Sequence, residues 1–565
     1  MKNNLIRLLL IAGLIYFSAC NDLDLNPLSE GSSETWYSND SEIQMAVNDL
    51  YRNVFWPMDN DEWTDDYTRR DLTNPINNAT LNGEWGTVID VWRNAYKTIS
   101  RANTVVTNLD RAADLPQATI DMFAAEARFV RAAQYALLIS HYGDVVYFTD
   151  ALTLEESFTM TRTDKNTILQ AIYEDYDFAA AHLPVSYGSS QNMYATKGAA
   201  LAMKARIALF FKDWTVARDA AKACMDLNAY ELYPDYQTLF LSKTKNPKEF
   251  IFGMPRSQVL NVTTGDTKNW ISRLAGGWGA AAAPSWDLFC AFLCSDGLPI
   301  DESPLFDLRE PFKNRDPRCT MNIVEFGTPW LGFIYQPHPD SLKVLNLNTG
   351  KLVTNNDTRS NAQYASFNGL MWKKGIDEDW ADDYRAENEI FIMRYADVLL
   401  MYAEAKIELN EIDQPMLDET INAVRARAYN VSVSDKVQYP AVEVGTQVEL
   451  RKMIRVERRM EFANEGIRYM DIIRWRLAEK VLNYDIYGML DVADLREKVV
   501  NPGLWFLPMV PDIDEDGIAI LEPIYNAGLC KRLALRDFDK DRQYLWPIPT
   551  KEILINDNLG QNPGY

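Results

Sequence analysis

The stretch YATKGAALAMKARIALFFKDWTVARDAAKACMDL, residues 194–227, decides the fold class. Apolar residues recur at three- and four-residue steps on both sides of Phe211-Lys212-Asp213, which predicts two helices joined by a tight turn. Gly198, Ala202, Ala205, Ala217 and Ala220 are small enough to let those helices approach closely, and Trp214 opens the second. The same period predicts helices over Ser41–Phe55, Gly86–Leu109, Ala118–His141 and Asn166–Leu183. A second pair follows at Tyr395–Asn410 and Pro415–Ala428. The chain is therefore expected to be mainly α.

Each of these hairpins is similar to a tetratricopeptide unit, which cannot bury its apolar face alone and so stacks on its neighbours. Between the two pairs, from about 229 to 386, the character changes. Stretches such as AGGWGAAAAPSW (275–286) and GTPWLGFIYQPHPD (327–340) are rich in Gly, Pro and aromatics, and read as loops; only Ser285–Leu293 keeps a helical period. Long loops on a rigid scaffold are where recognition usually resides.

The chain carries 565 residues, a formal net charge of −23 and three histidines. A field of that sign repels nucleic acid, so no nucleic-acid partner is expected. The histidines, His141, His182 and His338, supply a histidine-based metal or acid–base centre poorly. Apart from Cys20, the cysteines are Cys224, Cys290, Cys294, Cys319 and Cys530, an odd set without tight spacing. They read as small buried hydrophobes and not as a disulfide framework.

The first residues carry a separate message. Lys2 and Arg7 precede an apolar run from Leu8 to Tyr16, too short for the roughly 20 residues of a membrane-spanning helix. Ser18 and Ala19 then place small side chains before Cys20, and SAC resembles a bacterial lipobox. Residues 1–19 are expected to be a lipoprotein signal peptide, Cys20 a lipid anchor, and residues 20–35, polar and acidic, a flexible tether.

Seven blocks in order resemble the SusD/RagB family of Bacteroidetes nutrient-uptake lipoproteins. They are AEARFVRAAQYALLISHYGDVV (125–146), KARIALFF (204–211), KEFIFGMP (248–255), IFIMRYADVLLMYAEAKIELN (390–410), INAVRARA (421–428), IRVERRMEFANEGIRYMDIIRW (454–475) and YLWPIPTKEILINDNLGQNPGY (544–565). The resemblance implies one SusD-like domain over 36–565, with stacked tetratricopeptide-like hairpins and a loop-rich ligand-binding half. It also implies a place on the outer membrane facing outward, and a TonB-dependent SusC-like barrel as partner.

Two constellations invite chemistry. Glu457, Glu461 and Glu465 would form a stripe on one helical face, their Cβ atoms about 5–6 Å apart. Retaining glycosidases set two carboxyls about 5 Å apart, but on opposite sides of the sugar, which a single-face stripe cannot do. Arg455, Arg458, Arg459 and Arg468 are interleaved and would keep the glutamates ionised, so the stripe reads as structural ion pairing. Asp512, Asp514, Asp516 and Gly517 match the opening of a calcium loop, but Pro523 stands where an EF-hand requires Glu. A structural calcium ion is the alternative there to an acidic surface turn; no cofactor is required. No P-loop, GxGxxG turn, GxSxG elbow or HExxH helix occurs, so no enzyme activity is expected.

The remaining signal is aromatic. Trp92, Trp214, Trp286, Trp475 and Trp546 lie in helical or signature segments and read as packing. Trp63, Trp85, Trp270, Trp278, Trp330, Trp372 and Trp380 lie in polar or Gly-rich stretches. An aromatic plate covers the C–H face of a sugar ring while polar side chains satisfy its edges. The expected ligand site is thus Trp85 with Asn82, Trp278 and Trp330, against loop anchoring as the alternative for these three tryptophans, and further Trp63 with Asp66, Arg69 and Arg70. The leading reading is an oligosaccharide-capturing lipoprotein that serves a SusC-like transporter. The alternatives are a RagB-type oligopeptide carrier, a glycoside hydrolase using loop carboxylates, and a helical scaffold for another protein.

Overall fold

The structure, a computed structural model, describes residues 36–150, 152–188, 193–264, 267–381 and 384–565. The signal peptide, the tether and Cys20 lie outside the described residues. Among those described, no helix is long and apolar enough to cross a membrane.

The scaffold is a run of helices, several of them capped by the residue that precedes them. In chain order they are α1 (Asp40–Leu50), α2 (Gly86–Asn108), α3 (Gln117–Tyr142), α4 (Lys165–His182), α5 (Lys197–Phe210) and α6 (Trp214–Met225). After the insert come α7 (Tyr395–Glu408), α8 (Gln414–Glu419), α9 (Ile421–Ala428), α10 (Gln447–Glu461) and α11 (Arg468–Arg474). Asp164, Thr196, Asp213 and Asp413 cap α4, α5, α6 and α8 by accepting backbone N–H bonds, and Thr446 with Glu449 forms a capping box on α10. Packing runs from α2 to α3, then α4, α5, α6 and α7, and α7 rests on α10. This is the stacking expected of the hairpins. One predicted helix is broken: at Thr420 the backbone leaves the helical region, and its hydroxyl bonds the Met416 carbonyl at 2.6 Å, separating α8 from α9.

The insert is more ordered than its composition predicts. Four strands, β4 (Thr328–Trp330), β5 (Phe333–Tyr335), β6 (Lys343–Asn346) and β7 (Lys351–Thr354), form an antiparallel meander. Earlier strands tie the insert to the scaffold. β1 (Tyr67–Thr68) pairs with β3 (Ala283–Pro284), and β2 (Phe250–Met254) with β8 (Ile390–Arg394), each antiparallel. A second core, shared by the insert and the C-terminal part of the chain, is built on Trp286, Phe289, Trp372 and Phe506. Helix α10 lies between the two cores. Its Leu450 and Ile454 face the helical one, and its Val456 and Met460 face the other. Cys224, Cys290, Cys294, Cys319 and Cys530 are all free thiols and buried, as their spacing suggested.

Candidate functional site

The glutamate stripe comes first, because it is the one carboxylate array with an enzyme-like spacing. Helix α10 ends at Glu461, and Asn464 turns the chain with φ 60°, so Glu465 is not on the helix at all. Glu457 and Glu461 are fully buried. Glu457 takes Arg318 and Arg425, each at 2.7 Å. Glu461 takes Arg318 at 3.1 Å, Arg394 at 2.8 Å and Arg427, while Glu465 takes Arg394 at 2.7 Å and Lys374. Burial opposes ionisation of Glu461, but Arg427, Arg394 and Arg318 outweigh it and hold the carboxyl at about 2. The ion pairing is as expected; the partners are not. The interleaved arginines reach elsewhere, Arg455 to Asp516, Arg458 to Asp397 and Asp471, and Arg459 and Arg468 to Asp65. The network binds the seam between the two cores, and its Glu465 and Lys374 border a neighbouring cleft.

Beside that seam opens a cleft of about 420 Å³, walled by Tyr67, Trp270, Trp372 and Trp380 and bordered by Lys374 and Asn388. The Trp270 and Trp380 rings stand 6.4 Å apart, and Trp270 Nε1 donates to the Tyr67 hydroxyl at 3.0 Å. Asp61 borders the cleft with its carboxyl pushed up to about 7 by burial, so it is an acid near neutrality. Its carboxyl is buried. One oxygen accepts the Gly466 N–H at 2.8 Å and the other is buried without a partner.

The loop that sends Trp270 into the cleft turns outward eight residues later and presents Trp278, 51% exposed, to solvent. Its glycines make this turn possible. A Cβ on Gly277 would lie 2.4 Å from the Ile271 carbonyl, and one on Gly279, at φ 75°, would lie 2.4 Å from the Tyr364 carbonyl. The second contact brings Tyr364, 49% exposed, alongside. Arg70 joins the two loops: its Nη2 donates to the Trp278 carbonyl and, at 3.0 Å, to that of Tyr364, and its guanidinium lies 5.4 Å from the Tyr364 ring. The exposed side chains of Trp278 and Tyr364 are thus carried on two loops that the Arg70 guanidinium ties together, and aromatic and guanidinium groups of this kind can cover the faces of sugar rings and bond their hydroxyls.

Of the predicted site residues, only Trp278 and Arg70 belong to this platform. Trp63 is 7% exposed and packs edge-to-face on Trp85, Tyr469 and Trp546; it is a core residue. Trp85 is half-buried in the same cluster and opens α2, which favours loop anchoring. Asn82 is exposed but folds back, its side-chain oxygen accepting the Glu84 N–H at 2.9 Å to build the turn. Trp330 sits in β4, half-buried, with its indole nitrogen buried and unpartnered. Arg69 pairs with Glu62 at 3.3 Å, and its neighbour Arg70 reaches the platform instead. Arg70 has φ 53°, so the alternation expected along an extended chain fails there. Trp372 and Trp380, read from sequence as loop residues, are buried. Tyr364, which the sequence reading missed, lies in a polar loop where no local signal marks it. The acidic turn is likewise answered by cations: Lys480 meets Asp514 at 2.6 Å and Asp516 at 2.9 Å, and Asp512 is exposed in a short strand. Among the described residues no group of three acidic, histidine or cysteine side chains is arranged to hold a metal.

Comparison with known proteins follows the same lines. A family model described as the SusD family matches residues 248–565, and one described as starch-binding and associating with the outer membrane matches 30–209. A SusD-like protein of Formosa agariphila is 26% identical over 81% of this chain and 87% of its own length. The crystal structure of a SusD-like carbohydrate-binding protein from Bacteroides fragilis is 29% identical, covers 93% of this chain and 100% of its own, and superposes with a TM-score of 0.77. A second SusD-like protein from Bacteroides fragilis, 24% identical and covering 96% of this chain and 100% of its own, has the same fold at a TM-score of 0.71. With more than half its length matched by the family model and its fold shared with solved members, the chain belongs to the SusD family.

Proposed function

We propose that this protein is a glycan-binding lipoprotein of the cell surface that captures oligosaccharide and delivers it to a SusC-like TonB-dependent barrel, without hydrolysing it. The observation that carries the reading is the platform of Trp278 and Tyr364 held on Arg70. The similar Bacteroides fragilis protein described as carbohydrate-binding supports the ligand class, and the family described as associating with the outer membrane supports the place of action. Anchoring would run through Cys20. The commitment of the α10 glutamates to arginines supports the reading that the bound glycan is not hydrolysed.

Affinity electrophoresis in gels carrying different polysaccharides, followed by calorimetry, tests the ligand class. Binding to a glycan, with no reducing ends released on prolonged incubation, is the expected result. Binding confined to peptides would favour a RagB-type carrier, and release of reducing ends would establish a hydrolase. Isolation of outer membranes should recover the protein with a barrel partner, and Cys20→Ala should abolish both recovery and palmitate labelling.

A further inference from the structure

The platform carries more positive charge than its surroundings answer. Arg273 lies on the same loop as Trp278, its Cγ 3.0 Å from where a Cβ on Gly279 would stand. Its guanidinium has no hydrogen bond or carboxylate partner among the described residues, and its Nε is buried and unpaired. Arg70 is only partly satisfied. Nη2 is spent on two carbonyl oxygens, Nε is buried and unpaired, and no carboxylate meets it. The neighbouring cations differ: Arg69 is neutralised by Glu62 and Arg359 by Asp491 at 3.0 Å.

The acids that face the pair are few. Asp71 is exposed and next in the chain to Arg70. Asp357, buried below the loop, accepts the backbone N–H of Arg273 at 2.8 Å and not its guanidinium. Burial first, and then the charge of Arg273, lower the proton affinity of Arg70, and Asp71 does not offset them. Two guanidiniums that repel each other and have, among the described residues, only Asp357 and Asp71 as nearby acids, with no ion pair to either, are stabilised by an anion more than by a neutral hydroxyl, because charge-assisted bonds from arginine are about twice as strong as neutral ones. This local arrangement stands against a net charge of −23, but distant charges are screened beyond roughly 8 Å at physiological salt, so the adjacent pair dominates.

Resting on the reading that the platform binds glycan, we propose that its ligand is an anionic oligosaccharide. Its carboxylate or sulfate groups meet Arg70 and Arg273, while Trp278 and Tyr364 cover its rings. Uronate and sulfated saccharides share this chemistry, and the experiment separates them.

The test is calorimetry on the intact protein against oligosaccharides of matched length. The panel comprises neutral cello-, malto- and laminari-oligosaccharides, uronate oligomers, sulfated galacto-oligosaccharides, and an oligoglutamate peptide. At low salt an acidic saccharide should bind at least about tenfold tighter than the neutral ones. Raising the salt should shrink that advantage, and Arg273→Gln should remove it with an unchanged melting temperature. Arg70→Gln should do the same if it folds. The uronate and sulfate arms name the source of the charge. A neutral saccharide bound as tightly, lost in Trp278→Ala but unaffected by Arg273→Gln, overturns the anionic ligand and leaves glycan capture standing. Preference for oligoglutamate overturns it in favour of an acidic peptide. Binding of no saccharide at all overturns glycan capture as well.

Discussion

Trp278 lies in a Gly-rich stretch of sequence and Trp63 in a polar one, yet the first is half exposed and the second is wedged among three aromatic rings. Their alanine variants should therefore fail in different ways. Trp278→Ala should weaken glycan binding by about 1–3 kcal/mol, the worth of one large contact surface, and leave the melting temperature unmoved. Trp63→Ala should cost roughly 3–5 kcal/mol of stability, read by denaturant unfolding, because it empties a packed site. Trp85→Ala should also lower the melting temperature, since its ring supports the same cluster. Glu461 belongs to a third class. Replacing it by Gln leaves Arg318, Arg394 and Arg427 short of a buried counter-charge, and should destabilise by about 3–5 kcal/mol.

At the scale of elements, the α5–α6 hairpin illustrates how a small residue serves a purpose its neighbours define. Gly198 was read as a point of close helix approach. Cys224 of α6 does reach its carbonyl at 3.6 Å, and the missing side chain also admits Tyr230, whose hydroxyl would lie 2.2 Å from a Cβ there and bonds the Thr196 cap of α5 at 2.9 Å. Gly198→Ala should accordingly cost about 1–3 kcal/mol by overpacking. Gly86, at the start of α2, meets nothing within 4 Å, so Gly86→Ala should be neutral or stabilise by up to roughly 1 kcal/mol. Chemical denaturation of the two variants side by side checks both signs. The β4–β7 meander shows the opposite limit. Its strands are three or four residues long, too short for a period to register in the sequence.

For the whole molecule, pH dependence follows from buried acids that no single element explains. Burial pushes Glu126 up to about 8, Asp61 to about 7, and Asp287 and Asp357 to about 6. In the unfolded chain these groups ionise near pH 4. The stability they contribute is thus complete below about pH 4 and is lost as pH rises through 6, 7 and 8. Glu461, held at about 2, acts in the other sense: its contribution is complete above about pH 4.5 and is lost only as pH falls towards 2. Stability should therefore peak in mildly acid solution and decline towards about pH 8. Urea unfolding at a series of pH values should show that decline, and Glu126→Gln, which fixes the neutral form, should flatten its alkaline limb.

Helix positions, caps and the signature blocks were legible in the sequence because they are local. A 3.6-residue period, a Thr or Asp before a helix and a Gly-Asp turn are properties of neighbouring residues, and they sufficed to indicate a mainly α chain of the SusD family. The buried state of the cysteines and the structural role of the α10 glutamates were legible too, from spacing and interleaved charge. The partner of each charge and the exposure of each tryptophan were not. Arg459 meets Asp66 across 393 residues and Arg70 meets the Trp278 carbonyl across 208, so those contacts exist only once the two cores have packed. The sequence by itself determined which elements form and which family they belong to. The tertiary structure alone decided that Trp63 is core, that Trp278 faces solvent, and that Arg70 and not Arg69 stands beside it, because exposure depends on what distant chain covers a residue.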